Sequence, residues 1–325
     1  MTRVVLVGAG GVGQRHAAVL AGLDGVSVEA VVDADADAAR RLAETCGARA
    51  VAEVAVALDE VRPDAVYVCV PPFAHGEPER AALSRGIPFF VEKPLDVDLE
   101  VAELVAREVD RRGLVTATGY HWRQLDTVAT ARDHLARRPA LLATGTWLDK
   151  RPPVGWWAHR SRSGGQVVEQ VTHLVDVARV LLGEVEEVHA LGARRPAPGG
   201  TDTGDVDDAT VAVLRFTSGA VASLAATSLL EVKHETTLRL VGEGLVAELS
   251  ETALSVQEGL GAPQVTSPRV DPRVEVDRDF VAAVRGERDA TRAPYADALR
   301  THRVCVALAG SAASGRPVRV SGAGR

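Results

Sequence analysis

Between positions 1 and 120, short runs of consecutive apolar residues alternate with stretches whose apolar positions recur at helical spacing. The segments at 4–7, 28–33, 65–70, 89–91 and 115–119 read as strands, the one at 65–70 fully apolar, with a weaker strand at 49–51. Between them the spacing predicts helices over 14–20, 35–46, 77–85 and 99–111. Such repetition requires parallel pairing with right-handed crossovers, giving a doubly wound sheet whose ligand crevice lies at the carboxyl ends of its strands. After Tyr120 the pattern changes. Helical stretches at 127–137 and 166–182 precede long β-type runs at 185–193, 209–216, 220–229 and 236–240. Thr217-Ser218-Gly219 is the short glycine-containing connection that antiparallel strands use. The Pro- and Gly-rich stretch 196–208 reads as a surface loop, 295–314 as another helix and 318–320 as a short strand. The pattern predicts an α/β protein with a doubly wound parallel domain at 1–120 and an α+β domain at 121–325, the latter with an open, mostly antiparallel sheet.

The first strand runs into Gly8-Ala9-Gly10-Gly11-Val12-Gly13, a G-x-G-x-x-G loop, and the second ends in Asp33. In that pattern Gly8 permits a tight turn, Gly10 lets the backbone approach a pyrophosphate, and Gly13 lets the following helix pack closely. Gly11 and Val12 would complete the phosphate loop at a helix N-terminus, where unpaired N–H groups favour an anion. This is the fingerprint of a Rossmann dinucleotide-binding domain. Asp33 would accept the adenosine ribose hydroxyls, which favours NAD; Asp35 and Asp37 make a 2′-phosphate less welcome, while Arg40 and Arg41 leave NADP open.

Composition narrows the function. A net charge of −7 with no basic tract argues against nucleic acid or an anionic membrane surface, so a small molecule is the expected partner. Cys46, Cys69 and Cys305 are isolated, which fits a reducing cytoplasm rather than a disulfide framework. The N-terminal apolar run lacks a basic segment ahead of it and reads as a strand, not a signal peptide, and no run reaches membrane-spanning length. Four aspartates at 202, 205, 207 and 208 lack calcium-loop spacing, so no metal is expected.

Only three lysines occur, Lys93, Lys150 and Lys233, and arginine fills every other basic position. A chain that uses arginine wherever a generic cation serves marks its lysines for chemistry that a guanidinium cannot perform. Lys93, at the carboxyl end of a strand, is the strongest case; Lys233, beside His234 and Glu235, reads as surface. On a continuous helix over 166–182, Glu169, His173 and Asp176 would share one face, opposite Val167, Val171, Leu174, Ala178 and Leu182. All four tryptophans, at 122, 147, 156 and 157, fall just after the first domain, where indole can stack on the apolar face of a sugar ring. Trp157 is the preferred site member because it precedes Gly164-Gly165. Asp149 and Arg123 are candidates for binding hydroxyls, and Tyr120 for lining the pocket.

Val70-Pro71-Pro72-Phe73-Ala74-His75, Phe90-Val91-Glu92-Lys93-Pro94, the segment Gly164-Gly165-Gln166-Val167-Val168-Glu169-Gln170-Val171-Thr172-His173 and Asp297-Ala298-Leu299-Arg300-Thr301-His302 together resemble the Gfo/Idh/MocA oxidoreductases along essentially the whole chain. The resemblance implies that Val70, Pro71, Pro72, His75, Glu92 and Lys93 contact the cofactor. It further implies that Lys93 lies beside nicotinamide and substrate, and that His173 moves the proton of a sugar or cyclitol hydroxyl, with Gln170 among the substrate residues. Ser163 replaces the family's first glycine, and Glu169 stands where the family has Asp; longer by one methylene, it is the third catalytic candidate, a carboxylate that can orient or polarise the His173 imidazole. The implied activity is hydride transfer between NAD and a secondary hydroxyl of a polyhydroxylated ring. An NAD-assisted glycosidase and a non-catalytic NAD-binding regulator are the rival readings. The apolar run 220–229 on an open sheet, together with the resemblance, predicts a homodimer or homotetramer through the C-terminal sheet.

Overall fold

A computed structural model of the chain describes residues 1–196 and 204–322. The chain forms two compact units, Met1–His121 with Pro272–Leu299, and Trp122–Asp271 with Arg300–Arg325.

The first unit contains β1 (Thr2–Val7), α1 (Gly11–Ala21), β2 (Val26–Val32), α2 (Ala36–Cys46), β3 (Arg49–Val51), α3 (Val54–Val61), β4 (Ala65–Val68), α4 (Glu77–Ser84), β5 (Phe89–Val91), α5 (Leu99–Arg112) and β6 (Thr116–Thr118). Its six strands are all parallel, in the order β3-β2-β1-β4-β5-β6. The order reverses beside β1, the switch point at which doubly wound sheets bind ligands. The solid apolar runs are explained by burial on both faces. Val4, Leu6, Tyr67 and Phe90 face α1 and α2, while Val5, Val7, Val68 and Phe89 face α3, α4 and α5.

The second unit contains α6 (Asp126–Arg137), β7 (Ala140–Lys150), α7 (Arg160–Ser163), α8 (Gln166–Glu169), α9 (Thr172–Leu182), β8 (Val185–Ala193), β9 (Ala209–Phe216), β10 (Val221–Leu230), β11 (Glu235–Gly242), β12 (Leu245–Ser250), β13 (Leu254–Glu258) and β14 (Gln264–Thr266). Two further helices, α10 (Pro272–Val284) and α11 (Tyr295–Ser314), precede β15 (Val318–Arg319). The nine-stranded sheet runs β14-β13-β12-β11-β7-β10-β9-β8-β15 and is antiparallel except where β7 pairs with β10. The hairpin at Thr217-Ser218-Gly219 closes β9 onto β10, with Gly219 at φ 88.

The sequence reading did not include α3, β12, β13 or β14, and three further features differ from it. First, the chain does not leave the first unit for good at 120: α10 returns to cover the sheet through Val276, Phe280 and Val281, and Thr118 N–H donates to Ala293 O at 2.8 Å. Helix α11 gives Tyr295 and Leu299 to the first unit's core and Cys305 and Leu308 to the second's. Second, the helix expected over 166–182 is broken. Val171 N–H donates to Gln166 O, five residues back, and His173 N–H to Gln170 O, three back, so the register changes between α8 and α9 and one helical wheel cannot describe both. Third, β7 was hidden by Gly145, where a Cβ would lie 2.4 Å from Leu224 Cδ2; packing against β10 selects glycine in mid-strand. Of the 196–208 loop, residues 197–203, Asp202 among them, lie outside the described residues. Asp207 and Asp208 pair with Arg160 and Arg195 at 3.0 and 3.2 Å. Among the described residues no group of three His, Cys, Asp or Glu is arranged to hold a metal, and no helix is long and apolar enough to cross a membrane.

Candidate active site

In the first unit the glycine loop divides into packed and open positions. Gly8 sits at φ +103, and a Cβ there would lie 2.4 Å from Cys69 O; one at Gly13 would lie 1.9 Å from Gly8 O. These two build the turn and the strand–helix contact. Around a Cβ at Gly10 or Gly11 there is nothing within 4 Å. Gly10 caps α1 without a side-chain bond, so the first-turn N–H groups are left to an incoming anion, and Val12 is exposed beside them. The loop therefore fits a pyrophosphate. Asp33 Oδ2 accepts the Ala9 N–H at 2.6 Å and Oδ1 accepts the Asp35 N–H at 2.8 Å, which fixes the carboxylate beside the glycine loop. Arg40 is paired with Asp37 one turn away. Asp35 caps α2, and the Ala38 and Asp37 N–H groups hold its carboxyl below the usual range.

After β4, Val70 and Pro71 lead into a short turn at Pro72–Ala74. His75 is buried, with Nδ1 2.6 Å from Glu79 Oε1, while Glu79 Oε2 accepts the Gly76 N–H at 2.6 Å. His75 thus ties the loop to the start of α4. After β5, Glu92 is buried and accepts from Arg15 Nη2 at 3.0 Å and from the Lys93 N–H at 3.1 Å, with His16 Nε2 at 3.0 Å. Nδ1 of His16 lies 2.7 Å from Asp277 Oδ1. Burial alone would discharge His16, but Asp277 and Glu92 more than offset it and lift its pKa to about 9. Burial likewise opposes Glu92, yet His16, Arg15 and Lys93 hold its carboxyl at about 2. Lys93 itself is partly exposed at the carboxyl end of β5. Tyr120 is fully buried in the core on the α3–α5 side of the sheet, so the pocket-lining role expected for it gives way to packing.

In the second unit His173 begins α9, and its ring stacks on Trp147 with centroids 5.9 Å apart at 14°. Asp149 lies two residues beyond Trp147 and so on the same face of β7. The exposed Lys233 pairs with Glu251 at 3.7 Å, and its ammonium lies 5.2 Å from the centre of the Trp147 ring. Trp157 is fully buried and donates Nε1–H to Glu169 Oε2 at 3.1 Å. It is therefore a holder of Glu169 and not a platform for a ring. Gln170 Oε1 accepts from Gln166 Nε2 at 3.0 Å across the helix break. Arg123 forms a two-pronged pair with buried Asp176 at 2.5 and 2.7 Å, and Asp176 also accepts from Thr301 at 2.7 Å. That network commits Arg123 to the fold and removes Asp176 from the polar face assigned to it. The sequence reading named Trp147 among the tryptophans but did not place it beside His173, because β7 was unread, and it missed Arg15, His16 and Asp277. The spacing from Gly13 to His16 was visible, but nothing in sequence joins His16 to a carboxylate 261 positions away.

An open phosphate loop, an acid at the end of β2 and a lysine after β5 together fit a dinucleotide-binding domain. A family model described as an oxidoreductase family with an NAD-binding Rossmann fold matches residues 2–120, and one for the Gfo/Idh/MocA C-terminal domain matches 140–247. The chain belongs to the Gfo/Idh/MocA family. A levoglucosan dehydrogenase from Pseudarthrobacter phenanthrenivorans is 29% identical over 189 residues, 50% of this chain and 48% of that protein. A myo-inositol 2-dehydrogenase from Thermotoga maritima is 29% identical over 225 residues, 67% and 66% of the two chains. The match therefore spans about half of the first relative and just under two thirds of the second. A solved structure of levoglucosan dehydrogenase in complex with NADH and levoglucosan has the same fold, with a TM-score of 0.88 at 21% identity, covering 98% of this chain and 99% of that one.

Proposed function

We propose that the protein is an NAD-dependent dehydrogenase or ketoreductase acting on a secondary hydroxyl or keto carbon of a sugar, sugar derivative or cyclitol. The observation that carries this reading is the first unit's combination of a loop left open at Gly10 with a lysine set after β5, on the strand edge where doubly wound sheets bind ligands. The names of the relatives, inositol and levoglucosan dehydrogenases, support the substrate class. When bound, nicotinamide supplies or accepts the hydride. Lys93 donates from its ammonium to the substrate oxygen and stabilises the negative charge that develops there. His173 takes the hydroxyl proton during oxidation and returns it during reduction. Glu169, held by Trp157, and Asp149 accept from neighbouring hydroxyls, and Trp147 fixes the plane of the imidazole. Asp33 selects NAD by accepting from the ribose hydroxyls, and the Arg40–Asp37 pair draws that arginine away from a 2′-phosphate.

A second copy of the chain is the proposed partner. Leu191, Val211, Val213, Val221 and Leu142 are exposed, and the registers Leu191↔Val211 and Val221↔Leu142 make two neighbouring pairs on the sheet, with Arg215 facing Val221. Exposed apolar residues grouped in this way favour a dimer or tetramer through the sheet. Three unpaired thiols favour a reducing, cytoplasmic setting. The decisive experiment is a screen of sugars and inositols at saturating NAD, following NADH absorbance. Stoichiometric NADH with a ketone product is the expected outcome. Bond cleavage without net NADH would replace this reading with an NAD-assisted glycosidase.

A further inference from the structure

His16 is wholly enclosed, yet it lies between two carboxylates drawn from distant parts of the chain. Asp277 of α10 meets Nδ1 at 2.7 and 2.9 Å, and Glu92 meets Nε2 at 3.0 Å. An imidazolium donates from both nitrogens, and with Arg15 the four charges sum to zero. Phe90 and Tyr67 close the site, with ring centroids 4.9 and 5.5 Å from His16, and Cys69 is buried near the same carboxylates. Asp277, Glu92, Arg15, Tyr67 and Cys69 are thus the titratable groups around the ring.

Buried ion networks are a poor route to stability, since apolar replacements of similar volume are often as stable or more so. What this network supplies is a fixed place for one carboxylate. A Cβ at Gly119 would fall 2.5 to 2.7 Å from the Glu92 carboxyl atoms, so the niche admits that group only because the facing residue is glycine. The held carboxylate then accepts the N–H of the next residue, Lys93.

We propose that Asp277, His16 and Glu92 are positioning residues for Lys93: the chain of contacts fixes, through the Lys93 N–H, the backbone from which that lysine reaches, and sets the charge beside it. The inference rests on the role given to Lys93 above. The raised pKa of His16 and the lowered one of Glu92 keep the pair ionised at neutral pH.

The scarcity of lysine supplies the test. Reductive methylation with carbon-13 formaldehyde marks the three lysine side chains and the terminal amine of the intact chain, and Lys93→Met, Lys150→Arg and Lys233→Arg assign the lysine resonances. His16→Gln and Asp277→Asn should displace the Lys93 resonance alone and lower kcat about 10- to 100-fold with little change in KM, the cost of a misplaced catalytic group. Should the buried variants fail to fold, Arg15→Gln removes the partly exposed partner of Glu92 and should move the same resonance by less. A Lys93 resonance at its wild-type position in any folded variant of the three would overturn the proposal. The two readings separate cleanly: turnover that survives in Lys93→Met removes the role given to Lys93, whereas an inactive Lys93→Met with an unmoved resonance in Arg15→Gln removes only the positioning chain.

Discussion

Raising the pH should strip the first unit of stability by discharging His16. Its pKa stands at about 9 when folded against an ordinary 6.5, burial being more than offset by Asp277 and Glu92. One pH unit of separation is worth about 1.4 kcal/mol, so the imidazolium contributes roughly 3 kcal/mol. Because the folded value is the higher one, the contribution is complete below pH 6.5, where both states hold the proton. It is eroded between 6.5 and about 9, where only the folded state holds it, and is gone above that. From the acid side the same ion pair is lost as the pH falls from 4.5 through about 2, where Glu92 protonates. The two shifts describe one contact and are not added. Thermal melts of wild type and His16→Gln at pH 6 and pH 10 isolate the contribution. For a unit of this size, roughly 3 kcal/mol corresponds to roughly 6–12 °C, by which the gap between the two proteins should narrow at the higher pH. A gap of the same width at both pH values would show that His16 is held neutral.

The glycines of the loop should part company: Gly13→Ala lowers Tm because its Cβ meets Gly8 O, whereas Gly10→Ala leaves Tm nearly unchanged and abolishes NAD binding by calorimetry. Asp33→Ala should narrow the preference for NAD(H) over NADP(H); tighter NADP(H) binding by the wild type would refute the ribose role. His173→Ala should cut turnover by about 10² to 10⁴, and Lys93→Arg should also fail while still binding NAD, because a planar fork cannot stand in for an ammonium. Near-normal steady-state rates in either variant would count against its assigned role. Lysine at both Val211 and Val213 should yield a monomer by light scattering if the exposed sheet face is the interface.

The first sheet was legible mainly through β1, β4 and β5, which are buried on both faces and announce themselves as apolar runs, whereas β3 is exposed and was read only weakly. Phe89–Val91 was readable at three residues for that reason. β7 was not legible, because Gly145 interrupts its middle and the adjacent Leu141 and Leu142 are both exposed, so the alternation that marks a half-buried strand is blurred. The break before His173 was invisible for a different cause. Gln166 to Leu182 keeps a helical spacing of apolar positions throughout, and the shift at Gln170 is a backbone event that does not interrupt that spacing.

Local chemistry and long-range support divide along the same line. Lys93, Asp33 and the glycines could be proposed from sequence because each carries its own signal, a rare residue type or the spacing of a phosphate loop, whereas His173 was proposed from the family resemblance. The residues that hold them were found only in three dimensions: Asp277 reaches Glu92 through His16, and Trp157 reaches Glu169 across the Gly164-Gly165 turn. A supporting residue need only be an acid, an imidazole or an indole at the right point in space, and many positions in the chain meet that chemical description. The return of α10 to the first unit is what makes the difference here. Without it Glu92 would keep Arg15 and His16, but His16 would lose the carboxylate on its other nitrogen, and with it much of the reason to stay charged in a buried site.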